Sequence, residues 1–306
     1  MMKMTRRHLL GSGLTAVAVA ASSKSEAAVA PRTPCVGTGE IGPQLKLGCA
    51  AYSLRDYLPQ GGKPGKMSLL DWLELAAAWN LDGVELTSYY FTSEAPQALC
   101  ELKAKAFKLG LDISGTSVGN DFCLPAGDER SKQTDLTKRW VDHSVELGAP
   151  CVRVFAGHKR PGADRKSDFA SVVECLKPCC DYAGTHGVFL ALENHGYLTE
   201  TGPEVLAILE AVNNEWLGLN LDTGNFISDP YKNMELVAPK TITTHTKSEV
   251  RTADGSGSEP ADFPRIMNIL RAANYRGYIS LEYEAKEDAM TAVPKTLASL
   301  REAMKA

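Results

Sequence analysis

The sequence predicts a single-domain α/β fold, a closed (β/α)8 or TIM barrel, over residues 45–306. Eight short β-rich runs alternate with eight longer segments of helical spacing. The runs are mostly continuous in apolar character, which is typical of parallel strands that helices cover on both faces. No GxGxxG follows the first run, as it would in an open, doubly wound sheet. These three observations together favour the closed barrel.

Each predicted strand precedes a predicted helix. The strands are LKLGCAAYS (45–53), LDGVELT (81–87), LDISGTSV (111–118), APCVRVFAG (149–157), GVFLALENHG (187–196), LGLNLDT (217–223), TITTHTK (241–247) and GYISLEYE (277–284). The helices are expected at 68–79, 95–109, 130–147, 167–185, 202–213, 231–236, 260–273 and 286–305. Ser167 or Asp168 is the expected N-cap of the fourth helix. Glycines are expected to end several helices in the left-handed C-cap conformation, at Gly110, Gly148, Gly187 and Gly277.

The first 44 residues carry a different pattern from the rest of the chain. The segment TRRHLL (5–10) precedes an apolar run and then the small-residue stretch SEAAVA. This order predicts a signal peptide over residues 1–28, and its Arg-Arg pair resembles a twin-arginine signal. A Sec signal or a short amphipathic N-terminus is the alternative. Residues 29–44, rich in Pro and Gly, are expected to form an N-terminal arm or linker.

These features predict that the protein is exported to the periplasm. Stable membrane insertion is not expected after signal removal, because the apolar run is too short for a comfortable span. The whole chain has net charge −4, and without the four basic residues and one acidic residue of the signal it has −7. An acidic chain is a poor partner for nucleic acid. The eight cysteines include no C-x-x-C pair, which argues against a structural zinc site and leaves any disulfide pairing open.

Four consecutive predicted strands end on side chains that can bind a metal. They are Glu193 in LALENHG, Asp222 in LNLDTGNF, His245 in TTHTK and Glu282 in ISLEYE. Active sites of such barrels lie at the carboxyl ends of the strands, so these side chains are expected to meet. Three carboxylates and one imidazole suit one divalent cation, Mn²⁺, Mg²⁺, Co²⁺ or Zn²⁺.

Each of these residues taken alone has an ordinary structural alternative. Asp222 could cap a strand end, and His245 could be a hydrogen-bonded core residue. Glu284, two residues further on, could face the site instead of Glu282.

Four further residues near strand ends are candidates for substrate binding. Glu85 could hold a sugar hydroxyl or form a salt bridge within the barrel. Lys247 could bind an anionic or keto oxygen, or serve as a charge partner for Glu193 or Glu282. His195 lies two residues after Glu193, in a loop that must pass the site. His158 follows the fourth strand and could donate a proton or lie on a surface loop.

The motifs ALENHG, LDTGNF, THTK and GYISLEYE, in this order, resemble the xylose isomerase-like barrel superfamily. In its ketose 3-epimerase branch the matching residues bind one divalent metal, and the two glutamates also act as acid and base. The resemblance therefore implies those roles for Glu193 and Glu282. It also implies that Arg251, six residues after the histidine, contacts substrate oxygens. Asn225 stands where these epimerases have a histidine, and it can hydrogen-bond a hydroxyl but does not shuttle protons.

The sequence thus predicts a metal-dependent sugar or polyol isomerase or epimerase. The expected reaction is enolisation next to a carbonyl that the metal polarises. One alternative is a lyase or dehydratase that acts on a keto-sugar, such as a 3-keto-glycoside or an inosose, at the same site. Another is a carbohydrate-binding barrel without catalytic activity. The expected partner is a small sugar or polyol, and a homo-oligomer is compatible with the sequence.

Overall fold

Eight parallel strands close into a barrel in the computed structural model, which describes residues 44–305. Its strands are β1 (Lys46–Ala50), β2 (Gly83–Thr87), β3 (Asp112–Ser117), β4 (Cys151–Val154), β5 (Phe189–Glu193), β6 (Leu217–Asp222), β7 (Thr241–His245) and β10 (Tyr278–Leu281). Neighbours in sequence are neighbours in the sheet from β1 to β7, and β10 pairs with β1. The backbone N–H of Thr246 donates to Ser280 (2.7 Å), and that of Glu282 donates to Thr246 (3.0 Å). These bonds join β7 to β10, so the predicted closed barrel is confirmed.

Eight helices surround the barrel, one after each barrel strand. They are α1 (Leu69–Ala78), α2 (Pro96–Lys108), α3 (Asp128–Leu147), α4 (Arg165–Thr185), α5 (Gly202–Val212), α6 (Pro230–Val237), α7 (Phe263–Ala272) and α8 (Ala289–Ala303). Between β7 and α7 the chain forms two short antiparallel strands, β8 (Glu249–Arg251) and β9 (Ser258–Pro260). The sequence did not predict this hairpin, because its strands have only three residues each.

Helix ends follow local chemistry, with two corrections to the prediction. Helix α4 begins earlier than expected, because Asp164 is its N-cap and accepts from the backbone N–H of Ser167 (2.8 Å). After α7 the left-handed residue is Asn274 (φ 57°), so Gly277 is not a C-cap. Gly277 is instead a close-approach site, because a Cβ there would collide with the Tyr275 side chain.

The hydrophobic core lies between the strands and the helices. Trp72 on α1 and Trp140 on α3 are fully buried there. Among the described residues no helix is both long and apolar enough to cross a bilayer. The predicted signal peptide, residues 1–28, and nearly all of the predicted arm lie outside the described residues.

The cysteines are expected to differ sharply in reactivity. None of the seven cysteines in residues 44–305 forms a disulfide, and Cys100 alone among them is exposed. Burial raises the pKa of the Cys49, Cys123, Cys151 and Cys179 thiols to about 12, so little thiolate is present at neutral pH. In a Cys35→Ser background, we expect a disulfide reagent such as DTNB to label one thiol rapidly in the native protein. Cys100→Ser should remove that phase, and its survival would contradict the prediction.

Candidate metal centre

Four acidic or imidazole side chains meet at the carboxyl end of the barrel. Glu193, Asp222 and His245 are the last residues of β5, β6 and β7, and Glu282 follows β10 directly. One potential ligand atom from each lies within 4.8 Å of the others. All four residues are buried. The structure thus brings the four predicted ligands together, with Glu282 rather than Glu284 as the member from the last strand.

The imidazole of His245 is fixed by carboxylates on both sides. Its Nε2 lies 2.8 Å from Oε2 of Glu85. Its Nδ1 lies 3.2 Å from Oε2 of Glu193 and 3.3 Å from Oε2 of Glu282. A hydrogen on Nε2, donated to Glu85, leaves Nδ1 as the nitrogen that can coordinate a cation. A metal-binding histidine commonly donates its other N–H to a carboxylate in this way.

Asp222 is held by the tight turn that follows β6. The backbone N–H of Gly224 donates to Oδ1 of Asp222 (2.8 Å), and Asn194 accepts from the backbone N–H of Asp222 (2.8 Å). Oδ2 therefore remains for the cluster. A Cβ at position 224 would lie 2.7 Å from Cγ of Lys247 and 2.9 Å from the Glu249 carbonyl oxygen. Glycine thus allows the chain to leave the strand beside Lys247 without displacing it.

Two buried cations contact the cluster from opposite sides. Nε of Arg153, on β4, lies 3.1 Å from Oε2 of Glu193, and its Nη1 donates to the Val118 carbonyl (2.9 Å). Nζ of Lys247 lies 2.6 Å from Oε2 of Glu282 and 3.3 Å from Oδ2 of Asp222. Arg153 was missed from the sequence. The available signal was a charged residue in the middle of the buried run CVRVF.

The charge and the polar atoms of this site fit a divalent cation. The buried ionisable groups are four carboxylates and two cations: Glu85, Glu193, Asp222, Glu282, Arg153 and Lys247. With His245 neutral, as coordination through Nδ1 requires, and all four carboxylates ionised, their formal charges sum to −2, which one divalent cation would balance. Within the described residues, Oδ2 of Asp222 and Nδ1 of His245 are buried and make no hydrogen bond of good geometry, although ionisable groups lie 3.2–3.3 Å away. Both atoms are good metal ligands, and buried polar atoms ordinarily have partners.

The sequence also matches a model of a known protein family. Residues 73–303 match the family model described as Xylose isomerase-like TIM barrel. The chain belongs to this family. No match was found among curated proteins.

Solved structures with the same fold include enzymes that act on sugars. The Escherichia coli 3-keto-D-glucoside 4-epimerase is 18% identical and has a TM-score of 0.67, over 85% of this chain and 100% of its own. The probable 3-DHS dehydratase from Bacillus anthracis is 18% identical with a TM-score of 0.64, over 86% and 99%. A Mycobacterium smegmatis protein of this family, solved with magnesium, is 16% identical with a TM-score of 0.68, over 85% and 97%. At these identities the likeness establishes the fold.

Without a bound cation, the two glutamates are held in the anionic form by Arg153, Lys247 and His245, and the glutamates in turn raise the pKa of His245 well above its usual value. Burial alone would raise the pKa of Glu193, but Arg153 and His245 lower it below its usual value. Burial is likewise outweighed at Glu282, where His245 and Lys247 hold the pKa well below its usual value. At Asp222 burial prevails over Lys247 and raises the pKa to about 8. A bound cation would oppose that shift, because it favours the charged carboxylate.

Three of the predicted substrate-binding residues lie together beside the cluster. Asn225, Lys247 and Arg251 line a cavity of about 170 Å³, together with Glu284. Nδ2 of Asn225 lies 3.3 Å from Oε1 of Glu193. Arg251, on β8, is exposed at the edge of this cavity. The unpredicted β8–β9 hairpin therefore carries the arginine that the resemblance assigned to the substrate.

The other three predicted residues have different surroundings. Glu85 is buried against His245, which is the salt-bridge alternative considered from the sequence. The His195 ring packs against Phe155, with ring centres 4.5 Å apart. His158 is exposed, and its ring centre lies 6.2 Å from that of Phe155. The Arg153 guanidinium lies 3.9 Å from the centre of the same Phe155 ring. The Phe155 ring therefore lies between both histidines and the Arg153–Glu193 ion pair.

Glu85 is expected to tune metal affinity through His245. Glu85→Gln removes the charge that orients the Nε2 hydrogen, while it keeps the side-chain shape. We expect metal affinity to fall by roughly 10–100-fold, as for other carboxylates that hold a metal-binding histidine. Calorimetric titration with Mn²⁺ measures this directly. Glu287→Gln, a change at an exposed glutamate that pairs with Lys295, is the control, and equal affinity of Glu85→Gln and wild type would contradict the prediction.

Proposed function

We propose that this protein is a divalent-metal-dependent isomerase or epimerase of a small ketonic sugar or polyol. The observation that carries the proposal is the buried cluster at the carboxyl end of the barrel, with its four converging ligands and formal charge of −2. A site of this kind can hold a metal and still leave positions for substrate oxygens. Sugar epimerases among the structural neighbours support the same class of substrate.

Glu193, Asp222, His245 and Glu282 would hold the cation. When bound, it supplies a Lewis acid that polarises a carbonyl and makes the adjacent C–H acidic. The protein must then remove and return a proton. Glu193 and Glu282 flank the site, because β6 and β7 lie between β5 and β10 in the barrel. One glutamate can therefore take the proton from one side of the substrate carbon while the other returns it from the opposite side.

The polar residues around the small cavity can orient the substrate. Lys247, Arg251 and the amide of Asn225 supply donors toward sugar hydroxyl or keto oxygens. Burial of Lys247 in contact with Glu282 raises the free-energy cost of misplacing either charge, so the pair keeps a fixed geometry.

A lyase or dehydratase is the second candidate, and Asn225 is the observation that favours it. An amide at this position, 3.3 Å from Glu193, cannot shuttle protons in the way a histidine can. If a leaving group stands β to the carbonyl, proton removal by a glutamate expels it instead of leading to reprotonation. The dehydratase among the structural neighbours is consistent with this outcome.

Proton exchange in D₂O tests the proposal. The purified, metal-loaded protein is incubated with ketoses, inososes and 3-keto-glycosides, and C–H loss and products are followed by NMR. Deuterium beside a carbonyl together with a rearranged sugar supports isomerase or epimerase activity. Release of water or an aglycone with an enone product supports the lyase. Bound sugar without exchange on any substrate would overturn both and indicate a carbohydrate-binding barrel.

We also infer that the protein is exported to the periplasm through a twin-arginine signal. The support is the Arg6-Arg7 pair before an apolar run and a small-residue stretch. In bacterial cells, replacing both arginines by Lys is expected to retain the protein in the cytoplasm, because the export machinery reads the guanidinium pair. Cell fractionation measures this, with Lys3→Arg as the control. Export of the double-Lys variant at the wild-type level would contradict the inference.

A further inference from the structure

A second and larger cavity opens at the same end of the barrel. It has a volume of about 630 Å³ and lies between the loop after β1 and the loop after β2. Small-molecule sites commonly occupy 300–1,000 Å³, so this cavity has the size of a substrate subsite, whereas the 170 Å³ cavity beside Lys247 is below that range. None of the predicted site residues lines the larger cavity.

The outer rim of this cavity is formed by a tight β-hairpin turn. Gln60 and Lys63 exchange two backbone hydrogen bonds (3.0 and 3.2 Å) across Gly61-Gly62. Both glycines have positive φ, 60° and 77°, as a two-residue type I′ hairpin turn requires. The base of the loop is closed by the Tyr57 carbonyl, which accepts from the backbone N–H groups of residues 66 and 67. The loop therefore holds a defined hairpin over the cavity.

Both walls of the cavity connect to the metal centre. In the first loop, Ser53 accepts from the backbone N–H of Tyr283 (2.9 Å), the residue after Glu282. In the second, the Tyr89 ring lies against Gly119, where a Cβ would be 2.7 Å from the Tyr89 hydroxyl oxygen. Val118, the residue before Gly119, accepts a hydrogen bond through its carbonyl from Arg153, which pairs with Glu193. Tyr89 therefore places the cavity on the β1–β2 side of the barrel mouth, next to β10, the strand that Glu282 follows.

The lining combines aromatic surface with polar groups and with charges of both signs. Tyr89, Phe91 and Met67 present aromatic and thioether surface, and Gln60 and Thr92 add hydrogen-bonding groups. The N-terminus of α1 also reaches the cavity, but its capping box is complete, because Ser68 and Asp71 hydrogen-bond each other's backbone N–H groups. The Asp71 carboxylate at this position opposes an anion, whereas Lys63 and Lys66, on the loop after β1, also line the cavity and favour one. Aromatic faces with a few polar groups suit a sugar or aryl ring.

We propose that this cavity is an aglycone subsite, so that the substrate is a keto-glycoside rather than a free monosaccharide. The ketonic ring lies over the metal centre, and the ring attached through its glycosidic bond lies against Tyr89 and Phe91. The assignment rests on the proposed function for the identity of the first ring. The binding of the second ring does not depend on turnover.

Direct binding tests the subsite separately from the reaction. The probes are methyl and 4-nitrophenyl β-D-glucopyranoside, titrated into the metal-loaded full-length protein and followed by ligand-observed NMR. We expect the 4-nitrophenyl compound to bind about tenfold more tightly, since its ring buries apolar surface in the cavity. Thr92→Trp, which fills the cavity from the second loop, should reduce that ratio to near one. Ser299→Trp, on the outer helix α8, is the matched control and should keep the ratio.

Gln60→Trp fills the cavity from the opposite rim and gives a second variant if Thr92→Trp is unstable. Equal affinity of the two probes in wild type, no detectable binding of the 4-nitrophenyl compound, or an unchanged ratio in both Trp variants would overturn the subsite. Proton exchange with free ketoses in D₂O reports on the proposed function alone. A failure of exchange with a preserved binding ratio would therefore refute the reaction and leave the subsite standing.

Discussion

Glu193→Gln and Glu282→Gln are each expected to slow interconversion of the two epimers by about 10³-fold at saturating metal. General acid–base groups typically contribute 10²–10⁴-fold. An amide keeps the size of the side chain and one neutral ligand oxygen, but it can no longer accept the substrate proton. The measurement is the rate of epimer formation by NMR, with metal content determined on the same samples.

The two variants should also differ in a way that a general loss of structure would not produce. Glu193 and Glu282 lie on β5 and β10, with β6 and β7 between them, so each faces a different side of the bound carbon. Each variant should therefore retain solvent exchange from one epimer, and the two retained epimers should be opposite. Deuterium incorporation into each pure epimer, measured separately, reveals this pattern.

Glu287→Gln is the matched control for both variants. Its side chain is 50% exposed and pairs with Lys295, away from the four-ligand cluster and the small cavity. Interconversion should stay within about tenfold of wild type. If one variant loses exchange from both epimers and the other keeps exchange from both, a single base acts, and the two-glutamate assignment is wrong. That outcome with release of water or an aglycone would favour the lyase.

The barrel and its ligand positions could be predicted because both depend on local sequence patterns. The alternation of apolar runs with helical segments sets the fold, and parallel strands bring their carboxyl ends to one face. Asp222 and His245 could thus be placed together without knowledge of any contact. The choice between Glu282 and Glu284 was harder, because alternation puts residues two apart on one side. In the structure Glu282 directly follows β10 and is buried, whereas Glu284 is two residues further on, partly exposed, and lines the small cavity.

The contacts across the barrel interior could not be predicted in the same way. Arg153 reaches Glu193 from the neighbouring strand, and Glu85 reaches His245 from much further along the chain. Both contacts depend on the stagger of strands around the barrel, which no local pattern encodes. The β8–β9 hairpin and the hairpin at Gln60–Lys63 depend on turn geometry over a few residues, so their position beside the site also required the structure.

Asp222→Asn is expected to weaken metal binding by more than 100-fold, so that the variant is less stable than wild type with metal but more stable than wild type without it. Loss of a carboxylate next to a metal-binding histidine costs 10–100-fold, and loss of a direct anionic ligand should cost more. In wild type, metal at 100 times its dissociation constant adds about 2.7 kcal/mol of stability. For a domain of this size that corresponds to a rise of roughly 5–10 °C in Tm.

Without metal the effect of the same change should have the opposite sign. Asp222 is fully buried among three other carboxylates, and burial raises its pKa to about 8, so its charged form is costly in the folded state. Asparagine removes that cost and still accepts from the Gly224 N–H through its side-chain oxygen. Chelator-treated Asp222→Asn should therefore melt above chelator-treated wild type.

Differential scanning calorimetry with and without Mn²⁺ gives all four melting temperatures. The matched control is Asp229→Asn, at the N-terminal end of α6 and outside the cluster, which should change neither the metal response nor the order of stability. If Asp222→Asn melts below wild type both with and without metal, Asp222 stabilises the fold through its own contacts, and the excess buried charge is not held for a cation. For a site built to hold a divalent metal, Asp222→Asn must melt below wild type with Mn²⁺ and above wild type without it.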